Sequence, residues 1–319
     1  MLVLVTGGAG FIGRWVVKRF LDLGHVVRVI DNLSGGRVEN LDGLRSADGR
    51  GPELVQGDVR DPRLLASLFA DRPGACVHLA ARVNVQSSLD DPATDFSVNV
   101  VGTHLLLEEC RRRETRLVFV STCMVYAAAV EDEGINENSP LLPLSPYAGG
   151  KLAAESLCLA YQRAYGTPVV VLRPFNTYGP YQRFDGEGGV IPVFLHRVQS
   201  GLPLRVHGDG RQTRDFLFVE DCADFIVRAS LSDRAIGLVI NGATGRDVAV
   251  GDLAKAIAGG SVPVEYWPSP HPRSEIARLV GDCRLARDVL DWRPSVSLPE
   301  GLRLTSDWLR RCAGGGGAR

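Results

Sequence analysis

The sequence predicts a doubly wound parallel α/β sheet with a smaller, interleaved C-terminal region, and three observations carry that prediction. Short runs that are apolar on both faces alternate with longer segments of helical periodicity as far as Pro174. The first run passes directly into a glycine-rich turn that opens a helix, and the second ends in an acid. Beyond Pro174 the alternation fades into glycine-rich loops around Gly186-Glu187-Gly188-Gly189 and Gly208-Asp209-Gly210, where a second region begins.

Leu2-Val3-Leu4-Val5 has no polar alternation, as a strand inside a parallel sheet requires. Thr6-Gly7-Gly8-Ala9-Gly10-Phe11-Ile12-Gly13 follows, then a helix through Trp15-Val16-Val17 to Leu23 with Gly24 as its C-cap. Val26 to Ile30 is the second strand and stops at Asp31. Strand, glycine turn, helix, strand and acid stand in the order that a dinucleotide requires. The glycines let a pyrophosphate approach backbone N–H groups at a helix N-terminus, where the dipole favours anions. Asp31 can accept ribose hydroxyls, and its charge repels a 2′-phosphate, so NAD is expected over NADP.

Glu53 to Val59 reads as the third strand, with Asp58 facing an adenine amino group or capping the helix through Leu64-Leu65. Ala75 to Ala81 is the fourth; Ala80 and Ala81 are small enough for a flat cofactor to lie close, and His78 is expected to pack in the core. Asn99 falls in a helix from Val98 to Cys110, with a structural amide. Leu117 to Val120 is the fifth strand and leaves through Ser121-Thr122-Cys123-Met124. A helix from Tyr147 to Tyr165 sets Tyr147 and Lys151 on one face, four residues apart. An ammonium there stabilises phenolate and draws a tyrosine toward the range of a general base. Val169 to Leu172 is the sixth strand, Asp221 to Ala229 a helix, and Leu238 to Gly242 a strand returning to the sheet.

With 45% hydrophobic and 23% charged residues among 319, the chain has an ordinary globular composition. A formal net charge of -1 excludes an electrostatic footprint for nucleic acid or an anionic membrane. The N-terminus lacks a charged n-region and no apolar run spans a bilayer, so a cytoplasmic protein is expected. Seven cysteines without a C-x-x-C pair argue against a disulfide framework or a zinc site, and no metal is expected. Lys18, Lys151 and Lys255 are the only lysines, so Lys151 is not one of many.

Taken together, the chain from Met1 to about Trp308 resembles the extended short-chain dehydrogenase/reductases of the nucleotide-sugar epimerase and dehydratase type. The glycine turn, Gly57-Asp58-Val59-Arg60-Asp61, His78-Leu79-Ala80-Ala81, Ser121-Thr122 and the Tyr147–Lys151 pair carry the likeness. So do Arg173-Pro174-Phe175-Asn176, Tyr178-Gly179-Pro180, Arg214-Asp215-Phe216 and Trp292-Arg293-Pro294. The resemblance implies a Rossmann-type fold with a tightly held, recycled NAD over residues 1–175, to which 217–245 return. Substrate-binding residues would lie in 176–216 and 246–310, with a flexible tail over 311–319. It makes Tyr147 the base on a sugar hydroxyl, Lys151 the group that lowers its pKa and holds a nicotinamide ribose, and Thr122 a hydrogen-bonding partner of the same oxygen. Gly7, Gly10, Phe11, Ile12, Gly13, Asp31, Asn32, Asp58, Val59, Leu79, Ala80 and Ala81 fall at cofactor positions. Asn176, Val190, Arg214 and Arg273 fall where a nucleotide diphosphate is gripped, and a UDP-linked substrate and a homodimer are implied.

The shared chemistry oxidises sugar C4, and the residues after Thr122 decide the fate of the resulting ketone. Common 4,6-dehydratases carry Asp-Glu there and epimerases small unreactive residues; Cys123-Met124 fits neither. Met124 cannot transfer a proton, whereas the Cys123 thiol can, and Lys151 nearby is expected to lower its pKa. The Cys-Met pair is similar to that of nucleotide-hexosamine 5,6-dehydratases, which form a 6-deoxy-5,6-ene sugar from UDP-N-acetylglucosamine. The arginine excess over lysine fits GC-rich coding and an antibiotic pathway. A 4-epimerase with Cys123 as filler, and a catalytically silent NAD-binding regulator, are the alternatives. Gly149 and Gly150, costing about 1 kcal/mol each in a helix, are expected where substrate or cofactor comes close.

Overall fold

Strands with apolar side chains on both faces need helices above and below them, and the chain supplies both layers. The computed structural model describes residues 1–130, 134–185 and 188–314; Gly186, Glu187 and the tail from Gly315 lie outside the described residues. In chain order the first elements are β1 (Leu2–Thr6), α1 (Phe11–Asp22), β2 (Val26–Asp31), β3 (Glu53–Gln56), α2 (Pro62–Leu68) and β4 (Ala75–His78). Then come α3 (Val85–Asp90), α4 (Pro92–Phe96), α5 (Gly102–Arg113), β5 (Arg116–Val120), α6 (Pro146–Tyr165) and β6 (Val169–Pro174). The second part contains β7 (Asn176–Tyr178), α7 (Val190–Gln199), β8 (Leu204–His207), β9 (Thr213–Phe218), α8 (Val219–Leu231) and β10 (Val239–Gly242). It ends with β11 (Asp247–Ala249), α9 (Val250–Ala258), β12 (Val264–Trp267), β13 (Arg278–Leu279), α10 (Arg284–Leu290) and α11 (Leu298–Gly314).

The main sheet has seven strands in the order β10-β6-β5-β4-β1-β2-β3, every pair parallel. Its order reverses between β1 and β4, which opens a crevice at the carboxyl ends of the strands. On one face Val16, Val17 and Phe20 of α1 pack with Phe225 and Ile226 of α8 and with Trp292. On the other, Leu65 of α2, Leu106 and Leu107 of α5, and Ala154 and Cys158 of α6 close over Leu4, Cys76 and Phe119. β10 returns to the sheet edge with Val239 opposite Val171, although it follows the loops in sequence.

Outside this sheet, β9 pairs with β7 and β13 in parallel and with β11 antiparallel, while β8 and β12 form a parallel pair. Trp292 links the two parts: its indole N–H donates to Asp221 O at 3.2 Å, and the Asp221 carboxylate accepts from Ser295 N and Val296 N at 3.0 and 2.9 Å.

The segment around Asn99 departs from a simple helix. Ser97–Val101 is a π turn feeding α5, and the Asn99 side chain explains the irregularity. Its amide oxygen accepts from Arg82 N at 2.9 Å and its amide N–H donates to Arg82 O at 3.0 Å. Among the described residues, no helix is long and apolar enough to cross a membrane.

Candidate active site

The glycine turn after β1 is shaped by collisions that any side chain would cause. Gly7 takes a φ of +70°, and a Cβ on it would stand 2.7 Å from Ala80 N. A Cβ on Gly13 would stand 2.1 Å from Gly7 O, so α1 can start this close to the turn only with glycine there. Gly10 N donates to Gly7 O at 3.1 Å, with Phe11 and Ile12 in the first helical turn beyond it.

Asp31, nearly buried, closes the turn from β2. Its carboxylate accepts from Leu33 N at 2.9 Å and Ala9 N at 3.0 Å. Burial pushes its pKa up, against those two N–H groups. Asn32 donates to Asp58 at 3.2 Å, and Asp58 pairs with Arg60 at 2.7 Å, which holds its carboxyl down at about 2. The cap of α2 is Asp61, which accepts from Arg63 N and Leu64 N; Asp58 therefore does not cap that helix. Val59 is buried, and Leu79, Ala80 and Ala81 follow β4 beside the turn, where Ala80 N donates to Thr6 Oγ1 at 3.1 Å. His78 sits in the core as expected, between Thr6 Oγ1 at 2.7 Å and Thr103 Oγ1 at 3.0 Å.

At the other side of the crevice, Ser145 caps α6 by accepting from Ala148 N at 3.2 Å, and Tyr147 and Lys151 follow on the buried face. Lys151 Nζ donates to Val120 O at 2.7 Å and lies 4.3 Å from the centre of the Phe119 ring. Burial lowers its pKa to about 8, against the charges of Glu155, Cys158 and Asp95. The Tyr147 phenol is pushed up by burial, and the group that opposes this is Thr122, by a hydrogen bond. The activation expected from Lys151 is thus not built into this protein by itself; the ammonium is committed to the β5 carbonyl. Thr122 also accepts from Met124 N at 3.2 Å, which turns the chain out of β5.

Cys123 sits among Val125, Tyr126, Phe175 and Leu279 in an apolar cluster. Burial pushes its thiol up to about 12, with Arg214 opposing, so the lowering expected from Lys151 is overturned by desolvation. Arg214 is pinned to Thr213 O and Ile276 O, both at 2.8 Å, and its charge couples to Cys123 and Glu275. Asn176 Oδ1 and Ser121 Oγ are buried and have no partner among the described residues. Val190 starts α7 after the Gly189 cap. Arg273 stands apart, exposed on the short turn Pro272–Ser274. Gly150 marks an approach of protein, because a Cβ there would meet Asp95 and Asn99, whereas nothing among the described residues stands within 4 Å of a Cβ on Gly149.

Sequence reasoning missed a buried chain behind α6. Arg173 binds Glu155 at 3.0 and 2.5 Å and Tyr126 OH at 2.7 Å. Tyr126 OH donates to Asn241 at 2.8 Å, and Asn241 N donates to Glu137 at 2.8 Å. An arginine ending an apolar strand and a glutamate one turn beyond Lys151 were the available signals.

A glycine cradle where Cβ atoms would strike backbone, a carboxylate at the end of β2 and an orphaned hydroxyl at Ser121 fit a dinucleotide laid across the crevice. The family model described as NAD dependent epimerase/dehydratase family matches residues 3–241. A UDP-glucose 4-epimerase of Mycolicibacterium smegmatis is 38% identical over 97% of this chain and 99% of its own. The crystal structure of Pal from Bacillus thuringiensis superposes with a TM-score of 0.95 at 46% identity, covering 98% of this chain and 100% of that one. DesIV, a dTDP-glucose 4,6-dehydratase of Streptomyces venezuelae solved with NAD, gives 0.89 at 31% identity over 99% and 98%.

Proposed function

The chain belongs to the NAD dependent epimerase/dehydratase family and is an NAD-dependent enzyme of that kind, and from that premise we propose that it is a UDP-N-acetylglucosamine 5,6-dehydratase. The observation that carries the finer reading is Cys123: a buried thiol, electrostatically coupled to Tyr147 and Arg214, in a turn that otherwise offers only Met124. NAD, when bound, would supply a reversible hydride acceptor for sugar C4. Gly7, Gly10, Phe11, Ile12 and Gly13 would hold its pyrophosphate, and Asp31, Asn32, Asp58 and Val59 its adenosine. Leu79, Ala80 and Ala81 line the same crevice.

Tyr147, held by Thr122, takes the C4 hydroxyl proton, with Lys151 as the nearby ammonium. Burial has left the phenol high, so closeness of substrate and cofactor supplies the rest of the activation. The resulting C4 ketone acidifies the C5 hydrogen. As the C5 proton passes to the Cys123 sulfur, the thiol's own proton passes in the same step to the departing C6 hydroxyl. Tyr147 returns its proton to the C4 oxygen as that carbon is reduced again, so both residues end as they began and the sugar has lost one water. Arg214, Asn176 and Val190 grip the diphosphate side, with Arg273 closing from its exposed turn. Phe96, Val101 and Tyr165, exposed along α4 to α6, offer the contact face of a homodimer.

A 4-epimerase is the second reading, favoured by the similarity to the M. smegmatis epimerase and by the apolar company of Cys123. Product mass separates the two after incubation with UDP-N-acetylglucosamine. A product lighter by one water supports the dehydratase; an isomer of unchanged mass makes the enzyme an epimerase.

A further inference from the structure

Asp95, on α4, is a charged group of the site that the chemistry above leaves unused. Its side chain is 1% exposed; Oδ2 accepts from Asn99 Nδ2 at 3.1 Å, and Oδ1 has no partner among the described residues. Asn99 is itself clamped to both backbone groups of Arg82, so the carboxylate hangs from a fixed amide and not from a free rotamer. α4 lies against α6 at Gly150, where an added Cβ would stand 3.4 Å from Asp95 Oδ2. Gly150 lies between Tyr147 and Lys151 in sequence, so the helices meet at the level of the reactive pair. A buried carboxylate oxygen without a donor is costly unless a positive charge offsets it. Two are within reach: Arg82, already paired with Asp91 at 3.1 Å, and Lys151.

We propose that Asp95 is a positioning residue of the Tyr147–Lys151 pair, supplying from α4 a buried counter-charge, beside that of Glu155, that favours the ammonium of Lys151 and helps set the pH range in which the pair works. This rests on the reading that Tyr147 and Lys151 handle the sugar's hydroxyl proton. The other titratable groups facing the pair are Glu155 and Cys158 on α6, His78 on β4 and Cys123 after β5. Glu155 is already neutralised by Arg173, whereas Asp95 has an oxygen to spare.

A negative charge at Asp95 favours the ammonium of Lys151 and disfavours a phenolate at Tyr147. Asp95→Asn keeps the size and removes the charge, so both groups titrate at lower pH, and the whole pH profile moves toward acid without changing width. A merely structural role would lower the rate and leave the profile in place.

Lysine labelled at Cε gives a direct readout, because Lys18 and Lys255 are the only other lysines in the chain. In the wild-type enzyme the Lys151 carbon resonance is expected to titrate below the usual lysine range, with a midpoint of about 8. In Asp95→Asn that midpoint falls by roughly half a unit to one unit, and in Asp95→Glu it returns toward wild type. The pH profile of nicotinamide reduction by UDP-N-acetylglucosamine shifts the same way. An unchanged or raised Lys151 midpoint in Asp95→Asn overturns the proposal. If that variant does not fold, Asp95→Ser carries the same charge change and the same expectation. Tyr147→Phe serves as the control: if it still reduces nicotinamide, the reading of the pair is wrong, while the lysine titration continues to decide the role of Asp95.

Discussion

The two sides of the crevice are held in opposite ways. At the glycine turn the backbone does the positioning: Gly7 N donates to Ile30 O at 2.8 Å, and missing Cβ atoms let Gly13 and Ala80 close in. At the ends of β5 and β6 side chains do it, through Thr122, Lys151, Glu155, Arg173 and Arg214. The backbone side tolerates almost no substitution at its glycines and fixes only where a dinucleotide lies. On the proposed reading, the side-chain side decides what happens to the substrate. The largest effects on the reaction should therefore come from the second side, and loss of bound cofactor from the first.

Tyr147→Phe should show the largest effect, slowing nicotinamide reduction by about 10²–10⁴-fold while the protein retains its NAD. Stopped-flow absorbance at the reduced-nicotinamide band measures the first, and the nucleotide content of the purified protein the second. Glu155→Ala should cost about 3–5 kcal/mol in urea unfolding, because it strands the Arg173 guanidinium in the core. A cost below about 1 kcal/mol would mean that the buried chain does not hold α6 in place.

Gly13→Ala carries the contrast to the backbone side. The added methyl meets Gly7 O, and stability should fall by about 1–3 kcal/mol with loss of bound NAD. Retention of both would show that the turn can yield, and the contrast would dissolve. An effect confined to acid pH concerns His78, whose pKa burial holds at about 3, with Lys151 adding to the depression. Between that value and the unfolded value near 6.5 the unfolded chain binds the extra proton, so stability drains away as pH falls through this window. His78→Gln should flatten the acid slope by up to about 1.4 kcal/mol per pH unit, as read from unfolding midpoints at stepped pH.

The same contrast explains how much of the molecule the sequence disclosed. The glycine turn, Asp31 and the β10 return obey short-range rules: glycine spacing, apolar runs and an acid at a strand end. The placement of Tyr147 and Lys151 on one buried face comes from helical spacing. The hidden features depend on desolvation, which is a property of packing and not of neighbours in sequence. Cys123 was expected to be acidified by Lys151, and instead Val125, Phe175 and Leu279 surround it and raise it. Gly150 was expected to face a ligand and instead admits α4. Asp61 took the capping role open to Asp58 because the helix starts later than the apolar pattern indicates.

On the proposed mechanism, oxidation at C4 belongs to Tyr147 and Lys151 while elimination belongs to Cys123. Comparing wild type and Cys123→Ala on UDP-N-acetylglucosamine, with reduced nicotinamide and product mass followed together, tests it most directly. Cys123→Ala should still form reduced nicotinamide but release no product lighter by one water. Water loss from Cys123→Ala at the wild-type rate would contradict it and remove the thiol from the mechanism.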